Sequence, residues 1–244
     1  LLCFVDEALF ASDKKAESVL KALVSEEKVA IEHKGHDVLV LPNYIRFIIS
    51  TNNEHAIAAG PHARRFFVLD VGEKHKQDHD YFNDIVKEMN QGGREALLHM
   101  LENWNLKGVR LQNFPRTAAL QEQQVRSLDE LEAWWFDRLI AGTTTWNCLE
   151  WAIKLPVRSL FEDYINEADR QKKKYRKSLN SFGLKMRRLC PGISKTRLQL
   201  NDAFSGRETY YVFPTLIECR KMFDEYLGCK NDWPEHEEEG QTGV

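Results

Sequence analysis

LLCFVDEA, residues 1–8, sets an apolar run without alternation directly against two carboxylates, Asp6 and Glu7. Leu1 to Val5 have the pattern of a strand covered on both faces, as in a sheet flanked by helices. Acids do not belong inside such a strand. They belong at its C-terminal end, where open α/β sheets place their ligands and where a carboxylate can hold a metal or a water. The competing reading is that both acids cap the helix that follows, since negative charge favours helix starts. Taken alone, these eight residues favour the cap.

The next segments change that balance. Ala16, Val19, Leu20 and Leu23 recur at helical spacing and predict a helix over 12–25. Residues 29–41, VAIEHKGHDVLVL, hold two β-prone runs around Lys34-Gly35-His36 and predict a hairpin with a basic tip. YIRFIIS, 44–50, reads as a second buried strand that ends in Thr51, Asn52 and Asn53, and FFVLDV, 66–71, as a third entered through Arg64 and Arg65. Each polar group falls at a strand end or a loop tip, where folds display their chemistry. Together they suit nucleotide hydrolysis: one acid holds Mg²⁺, a second activates water, an amide orients that water and an arginine neutralises transition-state charge. Singly, each has a bland reading as a turn residue, a solvated pair or a polar tip.

In this order the motifs resemble those of the superfamily 3 helicases, AAA+-related ATPases. LLCFVDEA looks like their Walker B strand, FIISTN (47–52) like motif C with its sensor asparagine, EHKGHD (32–37) like their DNA-contacting hairpin, and ARRF (63–66) like their arginine-finger segment. More closely, the chain is similar to the C-terminal part of phage and prophage primase-helicases. That likeness runs through NFPRTAALQEQQVRSLDELEAWW (113–135) to FPTLIECRKMFDEYLG (213–228). The resemblance implies ATP and Mg²⁺ as cofactors, Asp6 as the Mg²⁺ partner, Glu7 as general base and Asn52 as the nucleotide sensor. It also implies Lys34 and His36 as DNA contacts, and Arg65, in preference to Arg64, as the finger. Because the family's finger acts across a subunit boundary, a homo-oligomeric ring, usually a hexamer, is implied as well.

One element of the pattern is missing. A phosphate-binding loop needs G-x-x-x-x-G-K-[ST], and the dipeptide Gly-Lys occurs nowhere in these 244 residues. The chain also lacks an initiating Met and starts inside an apparent central strand. The expectation is a partial ATPase core whose native form continues upstream. In the family the absent strand lies between the sensor strand and the strand after the finger, so its loss would leave both without their shared neighbour.

The second half reads differently. Residues 78–101 predict one or two helices broken near Gly92-Gly93, and the segment around Pro115 a linker. SLDELEAWWFDRLIAG (127–142) predicts a helix with Ser127 as N-cap, Glu130 completing a capping box and Gly142 as stop. Its Trp134 and Trp135 are expected in packing. Two further helices, 157–171 and 178–189, precede two β-prone runs, 196–200 and 208–214, around the turn-forming Ser205-Gly206. That order suggests a winged helix, with 181–189 as recognition helix and 202–207 as wing tip. Between Arg170 and Arg207 stand twelve basic residues against the single acid Asp202. That asymmetry is the expected footprint for phosphate backbone and puts forward Lys185, Arg187, Arg188 and Arg207 as DNA contacts. The competing reading is a solvated linker at 172–177.

The expected fold is therefore α/β: a partial superfamily 3 (P-loop, AAA+-like) ATPase core over 1–104, a helical region over 105–155, a winged-helix-like DNA-binding domain over 156–230 and an acidic tail over 231–244. The expected function is ATP-dependent DNA helicase activity in the complete protein, with a non-catalytic DNA-binding or assembly module as the alternative. The net charge of −3 and 29% charged residues are those of an ordinary soluble protein. The chain has no apolar run of membrane-spanning length and no secretory signal, so a cytoplasmic address in a bacterial host is expected. Five cysteines without a CxxC fit reduced thiols. Cys219, Cys229 and His236 match no common zinc spacing, and His75 and His79 fit a solvated loop better than a metal pair.

Overall fold

The computed structural model describes residues 1–7, 14–32, 34–35, 37–110, 113, 115–172, 176–199 and 207–235. They group into two units, Leu1–Phe66 with Gln121–Val244, and Phe67–Leu120.

In the first unit the apolar run after Leu1 forms β1 (Leu2–Asp6). It is followed by α1 (Lys14–Ser25), the antiparallel hairpin β2 (Lys28–Ile31) and β3 (Leu39–Pro42), and β4 (Arg46–Ser50). β1 and β4 pair in parallel, Leu2 opposite Arg46 through Asp6 opposite Ser50. The helix and hairpin between them supply the long connection that a parallel pair requires. Burial on both faces, expected from the sequence, is not found. Each strand alternates half-buried with exposed, and Leu2, Phe4 and Ile48 are at least half exposed. The pair has no third strand beside it among the described residues. Residues 66–71, expected as a strand, join no ladder, because a strand exists only through a paired neighbour.

After β4 the chain docks on α4 (Ala118–Arg126), a helix to which the expected helical region 105–155 gave no bounds. Gln123 accepts from the backbone N–H groups of Ala56 and Ile57 and donates to Glu54 O. Ser127 Oγ accepts from Ala59 N at 2.9 Å and donates to Gln123 O at 2.6 Å, and Gln124 donates to Gly60 O and Leu227 O. These amides satisfy a loop that has no regular hydrogen bonding of its own, and Ile57 and Ala59 are buried with it.

The main core of this unit lies further along. α5 (Glu130–Ala141) is followed by β5 (Lys154–Pro156), α6 (Val157–Arg170), α7 (Leu179–Leu189), β6 (Ser194–Gln199), β7 (Arg207–Val212) and α8 (Leu216–Leu227). The sheet is antiparallel, in the order β5-β7-β6. Trp134, Trp135, Leu160, Tyr164, Phe182, Met186, Tyr211 and Phe223 meet beneath it. The two tryptophans are therefore packing residues, and Trp134 Nε1 donates to Asp163 at 2.9 Å. A boundary at residue 156 would cut this cluster, since α5 contributes as much of it as α6.

α5 is capped two residues later than expected. Asp129 accepts from Leu131 N and Glu132 N, and Glu132 returns a bond to Asp129 N. Ser127 is not free to cap because its hydroxyl is engaged by Gln123 and Ala59. Gly142, at φ 67, closes the helix in the left-handed region that suits glycine. Asp129 Oδ2 also accepts from Lys177 at 3.1 Å. Burial pushes the Asp129 carboxyl up, but the Glu132 N–H, Lys177 and Lys185 outweigh it and hold the pKa below the ordinary 3.8. A depressed carboxyl contributes stability that is fully present above its ordinary pKa and is lost as pH falls through the lower folded value. Asp129→Asn is accordingly expected to cost about 1 kcal/mol at pH 7 and almost nothing near pH 2. Urea titrations of both chains at each pH check this, and a pH-independent difference would refute it.

In the second unit, α2 (His79–Glu88) and α3 (Arg94–Glu102) flank a widened turn, Met89–Gly93, where Gly92 has φ 102. This is the break expected near Gly92-Gly93. Asp78 caps α2 through Tyr81 N and also holds His75 Nδ1 at 3.0 Å, so His75 is engaged locally. No described helix is long and apolar enough to cross a membrane.

Candidate functional site

The parallel register brings the C-terminal ends of β1 and β4 to one edge. Asp6 stands opposite Ser50, and Glu7 N continues the ladder to Ser50 O at 2.8 Å. Glu7 then turns the chain at φ 54, a left-handed conformation that non-glycine residues seldom adopt and that recurs at functional sites. Thr51 Oγ1 accepts from both Asn53 N and Asn53 Nδ2 at 3.1 Å, a local turn that leaves the Asn52 amide unengaged. The side chains of Asp6, Glu7 and Asn52 are all exposed and have no partner among the described residues. Residues 8–13, between Glu7 and the first described residue of α1, Lys14, lie outside the described residues, and with them the cap reading of the two acids.

The structure does not bring the arginines to this edge. Arg65 Nε donates to Ser25 Oγ at 2.7 Å, at the last residue of α1. That end of α1 is tied to the other edge of the strand pair. Asn43 Nδ2 donates to Leu23 O and Glu26 O, while Leu1 N donates to Tyr44 O and Arg46 N to Leu1 O. Five-residue strands separate the edges by about 15 Å. Arg64 is exposed and unpartnered among the described residues. Lys34 is exposed at the turn between β2 and β3, with Gly35 at φ 84, and His36 lies outside the described residues.

The basic face of the second half is redrawn by the structure. Lys185 is not available to a ligand: its ammonium donates to Glu132 and, at 3.0 Å, to the Tyr226 hydroxyl, and it lies 3.4 Å from Asp129. Its side chain is 18% exposed, and a charge that far from water needs partners inside the protein. Arg187, Arg188 and Arg207 are exposed. Of the expected wing tip, only Arg207 falls within the described residues. Arg187 and Arg207 line a concavity of ≈ 730 Å³ together with Arg158, at the start of α6, and Lys195, on β6. Arg158 and Lys195 were not singled out from sequence. The β6–β7 register, with Lys195 opposite Tyr211 and Gln199 opposite Arg207, places Lys195 and Arg207 on one sheet face. Alternation along the strands could have revealed that pair; Arg158 carried no such signal.

No group of three or more His, Cys, Asp or Glu side chains among the described residues is placed to hold a metal ion. A Mg²⁺ bound through one carboxylate and substrate phosphates needs no such group, and the unengaged Asp6 fits that role.

A family of unknown function, DUF5906, matches residues 1–65. No curated protein matches the chain. Among solved structures, the apo C-terminal region of NrS-1 (305–718) is similar with a TM-score of 0.52 at 13% identity, over 88% of this chain and 55% of that one. A second apo form of the same region gives a TM-score of 0.46, also at 13% identity, over 87% and 54%. The chain thus shares the fold of part of that region and spans about half its length.

Proposed function

We propose that this chain is the C-terminal portion of an ATP-dependent DNA helicase of the phage primase-helicase type, composed of a partial superfamily 3 ATPase core and a winged-helix DNA-binding domain. The observation that carries the reading is the strand edge where Asp6 and Glu7 lie opposite Ser50, two residues before Asn52, and where the side chains of Asp6, Glu7 and Asn52 have no partner among the described residues. The fold shared with the NrS-1 C-terminal region supports it.

Bound Mg²⁺·ATP would supply the phosphoryl group and part of the charge neutralisation. Asp6 would hold the metal through water, Glu7 would take the proton of the attacking water, and Asn52 would orient that water. Arg65, at the opposite edge, suits a finger that reaches the nucleotide of the next subunit in a homo-oligomeric, hexameric ring. Lys34 and His36 would contact single-stranded DNA from the hairpin. The order α5-β5-α6-α7-β6-β7 with sheet order β5-β7-β6 supports the winged helix, with α7 as recognition helix and Arg187, Arg188 and Arg207 facing phosphate. Cytoplasmic DNA of a bacterial host is the proposed setting.

The test has two parts. The longer protein that supplies a phosphate loop should hydrolyse ATP in a DNA-stimulated manner. The present chain should bind DNA, and Arg188→Gln should weaken binding several-fold on every sequence while lowering the salt slope by about 0.9 for duplex. Fluorescence anisotropy over a salt series reads both quantities, and an unchanged slope removes Arg188 from the interface. The absence of Gly-Lys from these residues favours a second reading, a DNA-binding or assembly module. Lack of ATP hydrolysis by the longer protein would establish it.

A further inference from the structure

Two unfavourable choices meet at one point in the basic concavity. Tyr211 is fully buried, yet its hydroxyl has no hydrogen-bond partner among the described residues. Phenylalanine would fill the same space without leaving a polar group unpaired. Directly above lies Gly183, in the interior of α7, where glycine is the poorest helix former after proline. A Cβ at that position would stand 3.3 Å from the Tyr211 hydroxyl oxygen and 3.9 Å from Lys195 Nζ. The hydroxyl oxygen is itself shielded from solvent, and the glycine leaves it without a side chain at position 183 against it.

The surroundings are those of an anion site. Arg158, Arg187, Lys195 and Arg207 line the space, and none is in an ion pair among the described residues. The one acid in the lining, Glu208, accepts from the Tyr210 hydroxyl at 3.0 Å. Lys195 Nζ lies over the Tyr211 ring, 5.2 Å from its centroid, on a flexible stem that can swing aside. Burial holds the Tyr211 pKa above its ordinary value, against the pull of Arg187, so the hydroxyl remains a donor at neutral pH.

We propose that this concavity is a phosphodiester pocket for one nucleotide of a nucleic-acid strand, in which the Tyr211 hydroxyl and the Lys195 ammonium donate to the phosphate. Arg158, Arg187 and Arg207 supply the surrounding positive charge. At ≈ 730 Å³ the space exceeds a free phosphate, and Leu184, 63% exposed on its rim, offers the adjoining sugar an apolar contact. This assignment rests on the DNA-binding reading of the same face and adds a specific hydroxyl to it.

Tyr211→Phe tests it in the present chain. The variant loses only an unpaired hydroxyl, so its melting temperature should be unchanged or higher. Its Kd for an oligonucleotide of about twenty residues should rise about tenfold, with an unaltered salt slope because no charge is removed. Gly183→Val, which places a side chain against the hydroxyl, should weaken binding similarly. Inorganic phosphate and ATP, added at matched ionic strength, should not displace the oligonucleotide at equal concentration, and displacement by ATP would overturn the polynucleotide assignment. Unchanged affinity in Tyr211→Phe would overturn the pocket while leaving surface binding intact. Failure of the unaltered chain to bind at low salt would overturn both.

Discussion

Glu132→Ala is expected to destabilise the first unit by about 3 kcal/mol, several times the effect of an ordinary surface charge. Glu132 sits in the first turn of α5 and is 7% exposed. It accepts from Lys185 of α7 and from Tyr226 of α8, so one carboxylate joins three helices. Its other oxygen completes the capping box at Asp129 N. Truncation leaves the Lys185 ammonium in a largely dry site with only Asp129, 3.4 Å away, as counter-charge. That residual partner places the expected loss near the low end of what broken buried pairs cost. Burial works against the Lys185 ammonium, but its bonds to Glu132 and Tyr226 prevail and hold its pKa above the ordinary 10.5. A raised pKa means that this contribution is fully present below the ordinary lysine value and is lost only as pH climbs through the higher folded one. The mutant deficit should therefore be constant across neutral pH and shrink in strong alkali. Urea denaturation with an unchanged m value measures it, and a loss below about 0.5 kcal/mol would show that water screens the pair.

The same lysine marks a limit of reading charge from sequence. Lys185, Arg187 and Arg188 belong to one basic run, but a run does not say which members face inward. Lys185 lies one residue before the buried Met186 and turns toward Glu132, while Arg187 and Arg188 remain in solvent. Where the signal was apolar periodicity, the sequence was legible: β1, β4, the hairpin and helices α5 to α7 fall close to their expected positions. α4 was invisible to that signal because its contacts are made by Gln123 and Gln124, which are 7% and 2% exposed and satisfy backbone groups some 64 to 69 positions upstream. Phe66 to Val71 failed for the opposite reason, since their apolar pattern was right but a strand is a property of pairs. The capping error was chemical degeneracy. Ser127 with Glu130 and Asp129 with Glu132 fit the same motif equally well, and only the Ser127 bond to Gln123 separates them. At the strand edge, the order of acids and amide was legible, whereas the placement of Arg65 depended on Ser25 and Asn43, which no motif names.

Glu7→Gln, made in a protein that joins this chain to a phosphate loop, is expected to lower ATP turnover by about 10²–10⁴-fold, the usual worth of a positioned general base. Nucleotide affinity should stay nearly unchanged, because the substitution removes proton acceptance and leaves the acceptor geometry in place. The structure makes this a clean experiment. The Glu7 side chain has no partner among the described residues, so no contact to a described residue is lost. Its ladder bond to Ser50 O is made by the backbone and survives the change. Glutamine is no worse than glutamate at φ 54, so the turn that aims position 7 is kept as well. Stability should therefore move by no more than about 0.5 kcal/mol. Nucleotide titration separates binding from chemistry, and single-turnover hydrolysis reads the chemical step alone. Asn52→Ala should also slow that step, but by orienting the water less and not by removing the base. Turnover within twofold of the parent in Glu7→Gln would strip position 7 of its role and leave the strand edge without a catalytic acceptor.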